Sequence, residues 1–312
     1  MTYAGNHGYY LQEAVNANMY TGPSGVTRYG GGYAGLPTAA PDPRFQNVYQ
    51  IYTNGISNYD GGTIQFRHVF SYGLTMQFHY TWSHALGDVV VGSTTASYYN
   101  PFNLGASYGN LGFDNRHQAA ADWVWTSPHK FSNHVAGMLG NGWTLGGKAY
   151  IYSGAPFSVV DSKISSQINS AGTGLPSSGI LADVLSSSAF SGNCGSAAVN
   201  TPCLSKANFS TSSGQTDWGN IAPNSFYGPG YFDIDAQLTR DFHIKERAKF
   251  TFGLSGYNVL NHPNFKNPSG SVTSGAFGKI TSTVTPPTSI YGSFQSGTVS
   301  GRVLVLTGRF TF

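Results

Sequence analysis

Hydrophobic and polar residues alternate with a period of two in several stretches of the chain, most clearly from Leu74 to Ser83. One face of this stretch would carry Leu74, Met76, Phe78, Tyr80 and Trp82, and the other Thr75, Gln77, His79, Thr81 and Ser83. Successive side chains of a β-strand point to opposite faces, so the pattern predicts an amphipathic strand. Its length is close to the ~9–11 residues with which a tilted strand crosses a bilayer.

The same alternation predicts six more strands. They are Gly62–Phe70, Arg116–Thr126, Trp143–Tyr152, Phe232–Phe242, Arg247–Tyr257 and Arg302–Phe312. The segment Met1–Gly5 has the character of the end of an eighth strand. The apolar faces carry aromatic side chains near their ends, such as Trp82, Trp125 and Trp143, where membrane barrels have aromatic girdles. We therefore predict an all-β fold, an antiparallel transmembrane β-barrel with about eight strands.

The predicted connections alternate in length. Short ones fall at Tyr72–Gly73 and Lys245–Glu246, with one of moderate length near Ser127–Asn141. Long ones fall at Ala85–Asp114, Gly154–Gly230 and Asn261–Ser300. Outer-membrane barrels have short turns in the periplasm and long loops outside the cell. We therefore expect the chain to end at the periplasmic rim and the long connections to lie outside the cell.

The composition agrees with a wall that has one lipid face and one wet face. Charged residues make up only 9% of the 312 residues, whereas soluble domains contain about 25%. The mean hydropathy is nevertheless −0.19, because Ser, Thr, Asn, Gln and Gly supply polarity without charge. The lysines and arginines are scattered, which argues against a nucleic-acid partner. A soluble secreted β-protein is the alternative, since a sandwich strand also has one wet face.

Two features bear on export. The N-terminal sequence lacks the basic and apolar regions of a signal peptide, and no stretch reaches the ~20 apolar residues of a membrane-spanning helix. An outer-membrane protein needs a signal peptide, so either the outer-membrane interpretation is wrong or the sequence lacks its natural N-terminus. Cys194 and Cys203 lie close together in a Ser/Gly-rich stretch. A disulfide closing a short exposed loop would imply an oxidising compartment, and two free thiols are the alternative.

Candidate chemical groups do not combine into a catalytic or metal-binding pattern. The histidines His79, His84, His117 and His129 lie on different predicted strands or loops, without metal-ligand spacing. We expect them to be polar wall or rim residues, with no metal and no cofactor bound. The glycine-rich runs lack the phosphate-binding pattern, and no G-x-S-x-G elbow occurs. We therefore expect no enzymatic activity.

Three acidic residues, Asp233, Asp235 and Asp241, share one face of a predicted strand. Paired glycosidase carboxylates need a defined separation and one raised pKa. Alternate residues on a lumenal strand face water instead, so we interpret these carboxylates as charges that line a wet interior and tune permeation.

Four long stretches resemble the Oar-like TonB-dependent receptors of outer membranes. They are Ser57–Asp88, which includes TWSHALGD; Asn100–His117, NPFNLGASYGNLGFDNRH; Gly142–Val159, GWTLGGKAYIYSGAPFSV; and Gly219–Phe265, which includes GNIAPNSFYGPG and NVLNHPNF. The stretches occur in the same order and with similar spacing as in that family, and the match extends over nearly the whole chain. The resemblance implies that residues 1–312 are the C-terminal portion of a barrel of ~22 strands, with the plug and signal peptide absent.

The resemblance also implies a function. Such receptors import a scarce nutrient across the outer membrane, and the TonB complex acts on the plug rather than on this barrel portion. The implied surroundings are outer-membrane lipid, the barrel assembly machinery and an unidentified nutrient. The last strand, with Phe310 and Phe312, resembles the C-terminal signal that the assembly machinery recognises. The alternative function is a free-standing small barrel, either a passive porin or an adhesin, which would need a complete strand from Met1–Tyr20.

Overall fold

The structure, a computed structural model, describes residues 1–20, 36–37, 39–88, 100, 102–128, 131–133, 136–137, 140–162, 180–192, 194–210, 218–245, 248–284 and 301–312. Its strands are β1 (Thr2–Asn16), β2 (Tyr49–Val69), β3 (Leu74–Gly87), β4 (Gly109–Asn110), β5 (His117–Thr126), β6 (Trp143–Tyr152), β7 (Pro156–Phe157), β8 (Val160–Asp161), β9 (Ile180–Leu181), β10 (Phe226–Tyr227), β11 (Tyr231–Lys245), β12 (Ala248–Tyr257) and β13 (Val303–Thr311). Short 3₁₀ turns are Ser71–Gly73, Leu104–Ser107, Ser187–Ser191, Cys194–Ser196 and Lys206–Asn208. The described ranges contain no helix long and apolar enough to cross a membrane.

The long strands form one antiparallel sheet in the order β1-β2-β3-β5-β6-β11-β12-β13, with the short β4 paired to β3. Each long strand therefore lies beside the next long strand of the chain. Two small sheets, β10-β7 and β8-β9, lie outside this path. Within the described residues β1 and β13 are the two ends of the path and do not pair with each other. The sheet is thus an open wall, and the predicted antiparallel all-β fold is confirmed.

The register assigns the predicted faces. Phe78 of β3 pairs with Phe66 of β2 and Ala121 of β5, while the adjacent His79 pairs with Gln65 and Ala120. Direct cross-strand partners share a face, so residues in register with Phe78 lie on one face of the sheet and residues in register with His79 on the other. On the last strand the apolar face is open to the surroundings, with Leu306 69% exposed. We call these two surfaces the apolar face and the polar face.

Four strands are longer than the alternation predicted, among them β11, which runs from Tyr231 to Lys245 rather than from Phe232 to Phe242. β2 begins at Tyr49 rather than Gly62, β3 continues to Gly87, and β1 is a complete strand rather than the predicted stub Met1–Gly5. The register of β1 against β2 shifts between Gly8 and Leu11 and again before Glu13, with Tyr10 at φ 58°. A bulge displaces the period by one residue, which hides a strand from a search for strict alternation.

The connections lie at two ends of the sheet, as predicted. The short hairpin between β2 and β3 is a turn at Ser71–Gly73, in which Tyr72 and Gly73 have φ values of 63° and 80°. A side chain at Gly73 would also meet the carbonyl oxygen of Thr126, so the turn requires glycine there. Glu246 of the predicted Lys245–Glu246 turn and Arg247, the first residue of the next predicted strand, lie outside the described residues. The connection between β1 and β2 is an additional long one that the sequence did not reveal.

Candidate functional site: the loop cap and the polar face

Two long connections form a second packed structure beside the sheet. We use the name loop cap for the described residues 153–162, 180–192, 194–210, 218–230 and 258–284. Its buried core consists of Phe157, Val159, Ala182, Ala189, Cys194, Leu204, Phe209, Phe226, Val272 and Phe277. These residues come from both the β6–β11 and the β12–β13 connections, so neither connection buries its apolar side chains alone.

Aromatic rings lie at the centre of this core. The ring of Phe226 lies 5.8 Å from that of Phe209 and 5.9 Å from that of Phe157, and Phe209 is 5.4 Å from Phe277 in an edge-to-face arrangement. Val159 and Val272 are fully buried beside them. Aromatic pairs at these distances contribute about 0.5–1.5 kcal/mol beyond the area they bury. The rings therefore hold the two connections in one arrangement.

Backbone hydrogen bonds and a disulfide reinforce the loop cap. Val272 N–H donates to Val160 O (3.0 Å), and Cys203 N–H donates to Gly278 O (2.9 Å). Cys194 and Cys203 form a disulfide that closes a short loop, and the Cys194 side chain lies in the core. The bond thus fixes a segment of the first connection where that segment contacts the second.

Removing both cysteines tests this contribution. The double substitution Cys194→Ala/Cys203→Ala is expected to lower the free energy of unfolding of the loop cap by about 2–3 kcal/mol, because the unfolded segment gains loop entropy. Hydrogen exchange of residues 194–210 in the intact protein measures the loss, and β5 should be unchanged. Equal protection of these residues in both proteins would contradict the prediction.

Paired asparagine amides connect the loop cap to the sheet. Asn110 Nδ2 donates to Asn224 O (2.9 Å), and Asn224 Nδ2 donates back to Asn110 O (2.7 Å). Asn224 has φ 54°, a backbone conformation that asparagine tolerates better than most residues. Asn264 connects the loop cap to β11 in a similar way. Phe232 N–H donates to Asn264 Oδ1, and Asn264 Nδ2 donates to Phe232 O. All three asparagines lie in stretches that resemble the Oar-like receptors, but the sequence pattern indicates no role for them.

A buried ionic cluster makes a second connection between the loop cap and the sheet. Asp114 is 1% exposed, and its Oδ1 accepts from Ala85 N–H while its Oδ2 accepts from Arg116 Nε (3.3 Å) and Tyr227 Oη (3.2 Å). Arg116 Nη2 also donates to Tyr227 Oη. Burial raises the pKa of the Tyr227 phenol above its ordinary value. The phenol therefore stays protonated at neutral pH and donates to the carboxylate.

The substitution Tyr227→Phe tests this cluster. We expect it to lower the free energy of loop-cap opening by about 1–2 kcal/mol, because a buried carboxylate and a guanidinium lose a partner. The difference from wild type should persist below pH 10, the ordinary pKa of tyrosine, and shrink as the pH rises through the raised value. Proteolysis rates between pH 7 and 11 measure it. Tyr72→Phe, in an exposed turn, is the control and should have no effect; a pH-independent difference would contradict the role of the phenol.

The polar face carries a ladder of opposite charges. Lys148 of β6 pairs in register with Asp122 of β5 on one side and Asp235 of β11 on the other. The Lys148 Nζ atom lies 3.8 Å from Asp122 Oδ1. A cleft of about 350 Å³ lies here, lined also by Tyr150 and Ser255. One lysine between two carboxylates leaves an acidic surface on the side of the wall that a closed barrel would enclose.

The acidic residues named from the sequence all lie on this polar face, with Asp233 and Asp235 adjacent and Asp241 apart from them. Asp233 is buried, so the prediction that it faces water is wrong for this residue, and the Tyr231 hydroxyl donates to its Oδ2. Asp235 accepts from Asn258 N–H. Asp241 lies near the opposite end of β11, where Lys249 Nζ (3.0 Å) and Thr251 Oγ1 (2.7 Å) donate to it. The three carboxylates therefore serve different structural contacts.

The histidines named from the sequence are dispersed. His79 contacts Gln77, His84 Nε2 lies 3.0 Å from Asn110 Oδ1, and His117 Nδ1 lies 2.8 Å from Tyr80 Oη. His129 lies outside the described residues. In the described ranges no three His, Cys, Asp or Glu side chains come together in a way that could hold a metal ion.

The last strand ends on exposed aromatic side chains. Phe310 is on the apolar face and 54% exposed, and Phe312 is 95% exposed with its ring 6.2 Å from that of Phe310. Both lie at the end of the sheet that carries the short turns. This position corresponds to the interfacial girdle of a membrane barrel.

These features define the class of protein: a strand-built membrane wall with an apolar face, a polar face, short turns at one end and a folded loop cap at the other. The chain belongs to the outer membrane beta barrel domain family, whose model matches residues 1–295. It is therefore located in the outer membrane. A search of curated proteins finds no match. Among solved structures, the chain is similar to P. aeruginosa FpvA bound to heterologous pyoverdines, with 11% identity and a TM-score of 0.38. That alignment covers 88% of this chain and 22% of FpvA.

Proposed function

We propose that the chain is part of the barrel wall of a TonB-dependent receptor of the Oar-like type, which imports a nutrient across the outer membrane. In this proposal residues 1–312 are the C-terminal part of the barrel, and the plug that the TonB complex engages belongs to another part of the protein. The loop cap binds the nutrient outside the cell, and the polar face lines the route inward. The role is transport rather than catalysis.

The folded core of the loop cap is the observation that carries this proposal. Long connections without structure of their own are uncommon unless they are functional or disordered. Here two of them share a buried aromatic core, and a disulfide closes a short loop within the first of them. A surface that is ordered before binding avoids the entropy cost of ordering on the ligand, which favours recognition of a specific ligand.

Nutrient-limited growth tests the proposal. A strain lacking the gene is compared with a strain carrying the intact gene, with a ferric siderophore, cobalamin or an oligosaccharide as the limiting nutrient. We expect growth on at least one limiting source to require the gene and an energised inner membrane. Equal growth of both strains on all sources would contradict a receptor, and uptake that survives loss of the energy supply would indicate a passive pore.

One observation keeps the passive porin or adhesin as a second candidate. The complete strand β1 brings the long strands to eight, the smallest even number found in such barrels. Closure also requires β1 and β13 to pair, and they do not pair in the described sheet. An open edge in hydrocarbon would leave backbone groups without partners. A wall segment of a larger barrel therefore accounts better for both ends of the sheet.

We also propose that Phe310 and Phe312 are recognised by the barrel assembly machinery. The exposure of both rings at the end of the last strand supports this role. The same rings can afterwards rest at the lipid interface, so the two roles are compatible.

A further inference from the structure

Arg240 lies on the apolar face of β11, where its neighbours are hydrophobic. The other residues on this face of the strand are Phe232, Ile234, Ala236, Leu238 and Phe242. Across the sheet Arg240 pairs with Trp143 of β6 and Phe252 of β12. An arginine on the lipid side of a barrel costs about 2–4 kcal/mol at the bilayer midplane and about 0–1 near the interface. The energetic cost of Arg240 on this face therefore depends on how far it lies from the bilayer midplane.

The height of Arg240 corresponds to the periplasmic interface. It is level with Trp143, the first residue of β6, and its strand ends at Lys245 beside the short turn. Short turns face the periplasm in outer-membrane barrels. Aromatic side chains concentrate at the same level, including Phe242 and its register partner Phe250. The guanidinium is thus close to the phosphates of the periplasmic leaflet.

Two aromatic rings contact the Arg240 guanidinium, and no acidic group of the described residues neutralises its charge. The Arg240 Cζ atom lies 4.3 Å from the centroid of the Phe242 ring and 5.1 Å from that of Trp143. The side chain is 6% exposed, and its buried Nε atom has no hydrogen-bond partner. Within the described residues no carboxylate lies at ion-pair distance from Arg240. The adjacent Asp241 lies on the opposite face and is paired with Lys249. The Arg240 guanidinium is therefore a planar cation whose Nε–H donor has no partner among the described residues.

A cavity of about 430 Å³ adjoins this group at the rim. Its lining includes Arg240, Phe242, Gly142, Thr144 and His243. The cavity lies between the β5–β6 connection and the lower end of β11, where Arg240 and Phe242 of the apolar face adjoin Thr144 and His243 of the polar face. Its single carboxylate, Asp241, is already neutralised by Lys249 Nζ at 3.0 Å.

We propose that Arg240 and its two rings bind the phosphate of a phospholipid headgroup in the periplasmic leaflet. A guanidinium forms short, charge-assisted hydrogen bonds with phosphate oxygens. The flanking rings of Trp143 and Phe242 lie on the lipid side of the sheet and would contact the first carbons of the acyl chains. The occupant is a lipid rather than free phosphate because the apolar surroundings favour an anion that carries hydrocarbon. This site does not depend on the nutrient that the protein transports.

Lipid binding to the purified intact protein tests the proposal. The protein in neutral detergent is titrated with dioleoyl phosphatidylglycerol, dioleoylglycerol and inorganic phosphate, and bound lipid is counted by native mass spectrometry. We expect phosphatidylglycerol alone to bind at one saturable site. Arg240→Gln should weaken that binding about tenfold, the value of one hydrogen bond to a charged group. Arg240→Lys, which keeps the charge but loses the planar fork, should weaken it less.

The matched control is Arg309→Gln. Arg309 is an exposed arginine on the polar face of β13, and its register partner Thr251 is also the partner of Asp241. This variant should bind phosphatidylglycerol as wild type does. Undiminished binding to Arg240→Gln would overturn the proposal, as would equal binding of inorganic phosphate or dioleoylglycerol. If Arg240→Gln does not fold, the comparison of Arg240→Lys with wild type decides, because only a site that uses the guanidinium distinguishes them.

Discussion

Ala121→Arg is expected to lower the free energy of unfolding of the intact protein in a bilayer by about 2–4 kcal/mol, the cost of an arginine at the midplane of a lipid-facing strand. Ala120→Arg, one residue earlier, is expected to change it by less than about 1 kcal/mol. The two substitutions are chemically identical, so their difference isolates the face of the sheet.

The register explains the expected difference. Ala121 lies in the middle of β5 between Phe78 of β3 and Ala149 of β6, on the apolar face. Ala120 lies between His79 and Tyr150 on the polar face, where an arginine side chain can remain in water. Because β5 has long strands on both sides, neither position can relax by fraying from an edge.

Reversible folding into phosphatidylcholine vesicles, followed by urea unfolding, measures both variants. The heat-modifiable band on a gel gives the folded fraction independently. Equal losses for the two variants would contradict the assignment of faces. A larger loss of unfolding free energy for Ala120→Arg would mean that Ala120, and not Ala121, faces the lipid.

The strands that the sequence predicted well share a strict alternation. The ten residues of β5 contain no bulge, and Trp123 and Trp125 both fall on the apolar face, as expected. In β1 the shifts around Leu11 interrupt the period, and only pairing with β2 keeps the segment extended. Backbone pairing with a distant partner leaves no periodic signal in a single sequence, which is why β1 was shortened to a stub.

The ladder of opposite charges on the polar face was predicted only in part. The alternation places Asp122, Lys148 and Asp235 on the polar faces of their own strands. Register decides whether these charges meet, and register depends on turn geometry and loop length rather than on each strand's pattern. The sequence therefore identified the face and left the contacts open.

The loop cap was beyond sequence reasoning for a different reason. Asp114 and Tyr227 are 113 residues apart, and the hydrogen bond between them depends on the whole fold. The apolar residues of the loop cap follow neither a helical nor a strand period, because irregular backbone carries them. The disulfide was the one element that could be proposed, since close cysteines in a Ser/Gly-rich stretch already suggested it.

The core of the loop cap also gives it a stability of its own. It is connected to the sheet chiefly through polar contacts, the Asn110–Asn224 amides and the Asp114–Tyr227 cluster. Substituting a core residue should therefore loosen the loop cap while the sheet keeps its pairing. Regions that open independently are common at ligand-binding loops.

Phe209→Ala is expected to have the largest effect on the loop cap, a loss of about 3–5 kcal/mol in its free energy of opening. Phe209 is 3% exposed, and its ring contacts both Phe226 and Phe277, so truncation leaves a cavity between the two connections. Leu185→Ala is the control, because Leu185 is 62% exposed in the same connection.

Hydrogen exchange of the intact protein distinguishes the loop cap from the sheet. In the Phe209→Ala variant, amides of residues 194–210 and 269–280 should lose protection together, because the core joins the two connections. Amides of β5 and β6 should keep theirs, and Leu185→Ala should match wild type throughout. Loss confined to residues near 209 would contradict a shared core. Simultaneous loss in the sheet would show that the loop cap and the wall unfold as one unit, so that ligand binding at the cap would have to act on the whole barrel.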